Sequence, residues 1–557
     1  MEEIPTTQQA KNSTKTVPII ILILLIAIAI AGSIFIINKF KKEPYNPIAF
    51  VPKDVITSIV FDFSPSSEKS YALEYLDSIF KESKLSEENN QIDKKMEEML
   101  GINFTKDILP KLNGMGSFCV LSKLNGFQPN VAINIGIKKA QEADQIMTLI
   151  GNKLNDRNAN FEENEYEKFH YYSIMFDYEV MHIGALNNSI LISNSDMGFK
   201  AVIDTIKKGD NLGKNAEYAK YSSDNKSTVA TMYFSGEKLT EMIEPVLNSF
   251  PLMEQANDIN FALSKIKNLK EAFAVVKTTD KGFVIKNDFI MADGVVLNAS
   301  KKKLEDFAKI APEDAAVMLS FSSLSELWKT FDNEMAKNPN LKKEIYGNEM
   351  VSALKQILGV DIIDNGLKRI DFLGIYLTLD PQRENTQMPG YAVAVIKPDK
   401  PAVMKETLNT LKFAISMSGM AQMTTDKIYN YNANVFRFTE QPLSIALVEV
   451  DDYILIAASQ LDIKEYLKKA VSAPAGKSGT LVNTKRFAQF KQMLPSDAEA
   501  VFFLSSESIV DALSANIPAE EKADAKLLAK KLGTMAITGV SSDKNKYTYT
   551  TVIPYQE

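Results

Sequence analysis

The chain has 557 residues, 45% of them hydrophobic and 24% charged, with 63 Lys+Arg against 70 Asp+Glu for a net charge of −7. This composition excludes a disordered chain and gives no basic footprint for nucleic acid, and the length implies several domains. The lone cysteine, Cys119 in "GSFCVL", excludes an intramolecular disulfide and thiolate zinc clusters and reads as a small buried hydrophobe.

Residues 1–16 form a polar N-terminal tail. "VPIIILILLIAIAIAGSIFII" (Val17 to Ile37) then runs for 21 positions without a charge. At the helical rise this is about 31 Å, the thickness of a bilayer's hydrocarbon layer. A core helix would show a polar stripe, and a cleaved signal would place its small residues at the polar exit. Here Ala29 and Ala31 lie inside the apolar run. The expectation is one transmembrane helix over 17–38 and a linker over 39–46, with Pro44 and Pro47 stopping the helix. Lys39, Lys41 and Lys42 against Lys11 and Lys15 count towards a cytoplasmic C-terminal side. Long domains translocate regardless of so small a bias, so the body is expected outside the cytoplasm, in a periplasm or at the cell surface.

The remainder reads as one α+β module written twice, over 47–300 and 301–557. At a shift of 258 residues, "MLGINFTKDILPKLNGMGSF" (Met99 to Phe118) lies on "ILGVDIIDNGLKRIDFLGIY" (Ile357 to Tyr376) without a gap. At 264, "NNSILISNSDMGFK" from Asn187 lies on "DDYILIAASQLDIK" from Asp451. Such slowly drifting offsets are what loop insertions in a duplicated unit produce. Helical faces repeat too: Ala143, Met147, Ile150 and Leu154 recur as Met404, Leu408, Leu411 and Ile415. Phe199, Val202 and Ile203 recur as Ile463, Tyr466 and Leu467, and Leu239, Met242 and Ile243 as Ile509, Ala512 and Leu513. A Pro-x-Asp phrase precedes an apolar strand at Pro52, Pro312 and Pro495; a fourth site, "NKSTVATMYFSG" from Asn225, lacks it. The phrase is read as a strand-starting turn. Ile59, Phe61 and Phe63, and likewise Val317, Leu319 and Phe321, are expected on the packed face of a mainly antiparallel sheet.

No repeated polar constellation accompanies this repeated core. His170 and His182, the two histidines, have Asn434 and Ala446 as their counterparts and read as packed or surface strand residues. HExxH and Gly-x-Ser-x-Gly are missing from the sequence. "GMGSF" at Gly114 lacks a third glycine and a following helix, and Gly116 reads as a glycine for a tight start to a strand. Glu97 and Glu98 belong to a solvated helix face rather than a calcium loop. Trp328, with Leu324, Leu327, Phe331 and Met335, forms an apolar helix face. The expectation is therefore no catalytic, cofactor-binding or metal residues and no cofactor. The chain would be a non-enzymatic, membrane-anchored binding or structural module whose partners are the bilayer, through 17–38, and an unknown protein or apolar ligand. The 22 Met and 30 Phe keep open the alternative of a carrier or sensor for a lipid-like ligand.

The first Pro-x-Asp strand, the Leu-Gly-Ile-Asn turn before "ILPKL" and the upstream apolar run together resemble the domain-of-unknown-function 3352 family. The resemblance covers most of the chain after Pro44. It implies a bacterial, envelope-associated protein with an N-terminal membrane segment or signal. The second copy departs from it at "IIDNGLKRI". No activity, site residue or cofactor comes with the resemblance.

Overall fold

The computed structural model describes residues 45–555, apart from 249–265, 293–307, 333–361, 380–389, 495–499 and some shorter stretches. The expected transmembrane helix at 17–38 and Pro495 lie outside the described residues. No described helix is long and apolar enough to cross a membrane. The chain forms two compact units, Met1–Lys267 with Phe273–Asp280, and Asn268–Ala272 with Lys281–Glu557. The division falls ahead of residue 300 because the strand Gly282–Met291 pairs with the last strand of the chain, Lys546–Pro554.

In the first unit, β1 (Val55–Asp62) is followed by β2 (Leu112–Asn125), β3 (Gln128–Ile137), β4 (Phe161–Tyr166), β5 (Phe169–Phe176), β6 (Glu179–Ala185), β7 (Ser189–Ser193) and β8 (Thr228–Ser235). Their hydrogen-bonded order is β8-β1-β2-β3-β7-β6-β5-β4, antiparallel throughout. β9 (Leu269–Thr278) carries the chain across the division. The second unit contains β10 (Gly282–Met291), β11 (Val317–Ser322), β12 (Ile370–Leu379), β13 (Gly390–Pro398), β14 (Ala421–Ile428), β15 (Tyr431–Phe438), β16 (Ser444–Val450), β17 (Tyr453–Ser459), β18 (Ala500–Ser505), β19 (Thr534–Asp543) and β20 (Lys546–Pro554). Its order is β10-β20-β19-β18-β11-β12-β13-β17-β16-β15-β14, again antiparallel. From β18 to β14 this matches the first unit strand for strand.

The local devices correspond as well. A π-helical turn over Phe104–Ile108 and a 3-10 turn over Leu109–Lys111 lead into β2. Ile362–Gly366 and Leu367–Arg369 do the same before β12, at the shift of 258 seen in the sequence. The repeated Asn187 and Asp451 both hold positive φ, 57° and 49°, which short polar side chains tolerate in the tight turn before a strand. Pro52 bridges to Asn211 and Pro312 to Thr480. Beside them the Leu212 amide donates to the Val51 carbonyl at 2.9 Å, and the Leu481 amide to the Ala311 carbonyl at 3.0 Å. The phrase therefore does more than start a strand, since it also anchors that strand's approach to a distant loop. The strands at the two equivalent places of a unit are neighbours: β1 pairs with β8, and β11 with β18.

Three expectations need correction. In β11 the buried residues are Met318 and Ser320, while Val317, Leu319 and Phe321 are half-buried, the reverse of the expected face. In β1 Phe61 is buried but Ile59 is only half-buried. Both faces of these strands are covered, since Val317, Leu319, Phe321 and Ile59 are half-buried rather than exposed, so period-two alternation does not say which face is the inner one. Gly116 does not start a strand; it lies within β2, opposite Phe61 on one side and Ile135 on the other. A Cβ there would overlap the Phe61 ring and come within 2.6 Å of the Asn134 carbonyl oxygen. The glycine of the irregular strand start is Gly114, at φ 88° beside a register shift. The linker, too, is docked at its end. The Tyr45 hydroxyl donates to Asn134 Oδ1, the Tyr45 ring sits 5.4 Å from Phe50, and Pro47 is buried.

The helical stripe Ala143, Met147, Ile150 and Leu154 is buried, as are Phe199, Val202, Ile203, Ile463, Tyr466 and Leu467. Met404 and Leu408 are buried, whereas Leu411 and Ile415 are half-buried. Leu239, Met242, Ile243 and Ile509 are also half-buried. Trp328 is half-buried in a helix, and Leu324 packs on the second unit's core. Gly116→Ala is expected to destabilise the first unit by about 1–3 kcal/mol through overpacking against Phe61. Chemical denaturation checks this, with Gly476→Ala as a comparison: its φ is 66° but nothing lies within 4 Å.

Candidate functional site

The helix Leu85–Leu100 ends at Gly101, whose φ of 72° suits a left-handed cap and whose amide donates to the Glu97 carbonyl at 3.1 Å. Asn103 then caps the following π turn. Its Oδ1 accepts from the Lys106 amide at 2.9 Å, while its own amide donates to Asp107 Oδ2 at 2.8 Å. These two devices turn the chain so that Met96, Leu100, Ile102, Phe104 and Ile108 all point into the unit and are buried.

Facing them are Ile146 and Ile150 of the helix Ala140–Asp156, with Ile133, Ile135 and Ile137 of β3. Met181 and Ile183 of β6 and Ile190 and Ile192 of β7 complete the wall. Between these groups lies a cavity of about 50 Å³ whose lining side chains are all apolar. It offers no donor, acceptor or charge with which to polarise a bond. It can hold a hydrocarbon group and exclude water.

The two histidines stand apart from it in character. His170 is exposed on β5, with Glu165 at 3.7 Å. His182 is buried on β6, with Nδ1 2.9 Å from Ser173 Oγ directly across the strand pair. The nearby Tyr171 ring stacks on Phe199 at 4.5 Å, and its hydroxyl donates to Asp196 Oδ1 at 2.7 Å. Lys200 closes the group with an ion pair to Asp196 at 2.6 Å. Burial pulls the His182 pKa below its ordinary value; the charge of Asp196 opposes this and that of Lys200 adds to it. Burial works against the charge on Asp196, yet hydrogen bonds from Lys200 and Tyr171 hold its carboxyl below the usual range. The set is a satisfied packing network.

Glu97 and Glu98 are exposed on their helix, where Arg157 donates to the backbone carbonyls of both. Gly114 sits near the start of β2, which is followed by the strand β3 and not by a helix. Cys119 is buried, and burial pushes its thiol up to about 12, which leaves almost no thiolate at neutral pH. Among the described residues no three His, Cys, Asp or Glu side chains gather where a metal ion could be held. Three buried charged residues among those described were not foreseen: Lys69, Lys138 and Asp288. Lys69, almost fully buried, pairs with Asp62 at 2.8 Å and donates to the Asp62 carbonyl at 3.0 Å. The only sign of Lys69 was the polar run "DFSPSSEK" straight after a strand. The cavity was equally hidden, because Met96, Phe104 and Ile108 are indistinguishable in sequence from filled core.

The antiparallel α+β units and their shared strand order define a protein of repeated sheet architecture with an apolar, non-polarising interior site. The chain belongs to the DUF3352 family, described as a protein of unknown function, whose family model matches residues 18–553. Among solved structures, crystal form III of TP0453 is similar at 10% identity and a TM-score of 0.26, over 46% of this chain and 83% of that one. Crystal form I of TP0453 gives 12% and 0.23, over 45% and 81%. No curated protein matches the sequence.

Because folding keeps His182 neutral to a lower pH than the unfolded chain does, the unfolded state binds the extra proton first as pH falls. Stability of the first unit is therefore expected to be full above about pH 6.5 and to decline below it. Denaturant midpoints measured at several pH values check this, and His182→Gln should flatten the decline.

Proposed function

We propose that this is a non-catalytic, membrane-tethered protein of the cell envelope, built from two copies of one module, whose first copy takes an apolar chain into its helix-covered cavity. The wholly apolar lining of that cavity carries the reading. At about 50 Å³ the space is smaller than the roughly 150 Å³ that admits benzene in an engineered apolar cavity. Met96, Met99 and Met181 line it, however, and unbranched thioether side chains repack at little cost, so a hydrocarbon group can enlarge the space as it enters.

The tether follows from the uncharged run at 17–37. The seven residue-to-residue steps from 38 to 45 can span at most about 25 Å, so in this reading Tyr45, docked on the first unit, stays near the bilayer. In this reading the body lies outside the cytoplasm, in a periplasm or at the cell surface, since long domains translocate with little regard to a small charge bias. Common origin of the two modules is supported by their matching strand orders and by the constant 258-residue shift of the paired π turns.

The test uses the full chain with a photoactivatable fatty acid, followed by peptide mapping. Crosslinks on peptides carrying Met96, Met99 or Met181 are expected. Labelling confined to 17–38 would refute the cavity reading while leaving the tether in place. Ile150→Ala is expected to raise the cavity crosslinks while costing about 2–5 kcal/mol of stability.

A further inference from the structure

The helix Pro401–Met417, the turn after it and the first residues of β14 form a tip on the second unit. Phe413 is 66% exposed, Met417 72%, Met420 63% and Met423 44%. Large apolar side chains so exposed stand out from the surface; they do not line a groove. Residues 413–425, "FAISMSGMAQMTT", contain no charge. The same place in the first unit is built differently. There the helix Ala140–Asp156 runs into β4 through Lys153, Asp156, Arg157, Glu162 and Glu163, and Arg157 ties the turn back to the Glu98 carbonyl at 3.2 Å. One fold position thus carries a charged, tied-down turn in one unit and a charge-free, protruding apolar one in the other.

We propose that the Phe413–Met423 tip is a lipid-contacting surface that seats shallowly in a bilayer. The proposal rests on the tethered reading above, which keeps the chain at a membrane. Convex, flexible methionines suit a fluid acyl layer, which requires no fixed complementary pocket, better than a protein interface, whose anchors fill rigid pockets inside a polar rim. The charge-free run avoids the cost of carrying an ion below the headgroups. Arg437, exposed on the neighbouring strand and donating to Thr424 Oγ1 at 3.2 Å, is placed to meet phosphate at the edge of the tip. Interfacial apolar faces of this kind bury to about 5–10 Å at the headgroup–acyl boundary.

The experiment takes the full chain with Met420→Cys bearing a nitrobenzoxadiazole label, reconstituted in protein-free vesicles of phosphatidylethanolamine and phosphatidylglycerol. Cys119, buried and held as a thiol, does not compete for the label. The expected result is blue-shifted emission quenched more strongly by nitroxides near the headgroup than by nitroxides deep in the acyl chains. Phe413→Ser with Met417→Ser should return that emission to the aqueous value; both side chains are exposed, so the fold is not at stake. A chain that floats with the vesicles but keeps aqueous emission overturns the lipid-contacting tip and leaves the tether standing. A chain that does not float overturns both. Blue-shifted emission that no nitroxide quenches places the tip against protein and overturns the lipid assignment.

Discussion

The architecture depends on where the strand after each Pro-x-Asp phrase is inserted. β1 is the first strand of its unit, yet it lies between β2 and β8, with Phe61 opposite Gly116 on one side and Ala230 on the other. β11 lies in the same way between β12 and β18. A strand paired on both edges must have its backbone groups matched along two registers at once. The bridges at Pro52 and Pro312 hold the approach, and the absence of a side chain at Gly116 admits the Phe61 ring. The closing contacts come from residues far along the chain, so each unit completes its sheet only when a late strand returns to an early one.

That arrangement accounts for what could be read from sequence. Helical stripes such as Ala143–Leu154, with its 3.6 period, were legible because one buried face and one wet face leave a pattern in the letters. The turns at Asn187 and Asp451 were not legible as turns: the alignment paired the two positions, and only the backbone shows that both hold positive φ. β11 runs against its pattern because both of its faces are covered: Ser320 is buried beside Met318 while Leu319 and Phe321 are half-buried, and only tertiary packing decides which face is the inner one. The cavity left no mark for a related reason. Empty and filled interiors use the same residues, and the difference lies in geometry between Met96, Ile150 and Ile183.

The two units also show how one core tolerates different surfaces. Where the first unit closes its sheet end with Arg157 and a row of glutamates, the second presents Met417 and Met420. The stripe beneath is kept: Met147 and Ile150 in one, Leu408 and the half-buried Leu411 in the other. Core positions answer to packing, and tip positions answer to what lies outside.

Tyr45 adds a mechanical consequence. Its hydroxyl bonds to Asn134, a buried residue of β3 whose amide in turn donates to Ser189 Oγ at 2.9 Å. A tug on the N-terminal segment is therefore delivered to the middle of a sheet, through β3 to β7, before it can peel an edge. The unit is gripped by its centre, and strain arriving through Tyr45 would reach the β3 wall of the cavity before it reached either edge strand.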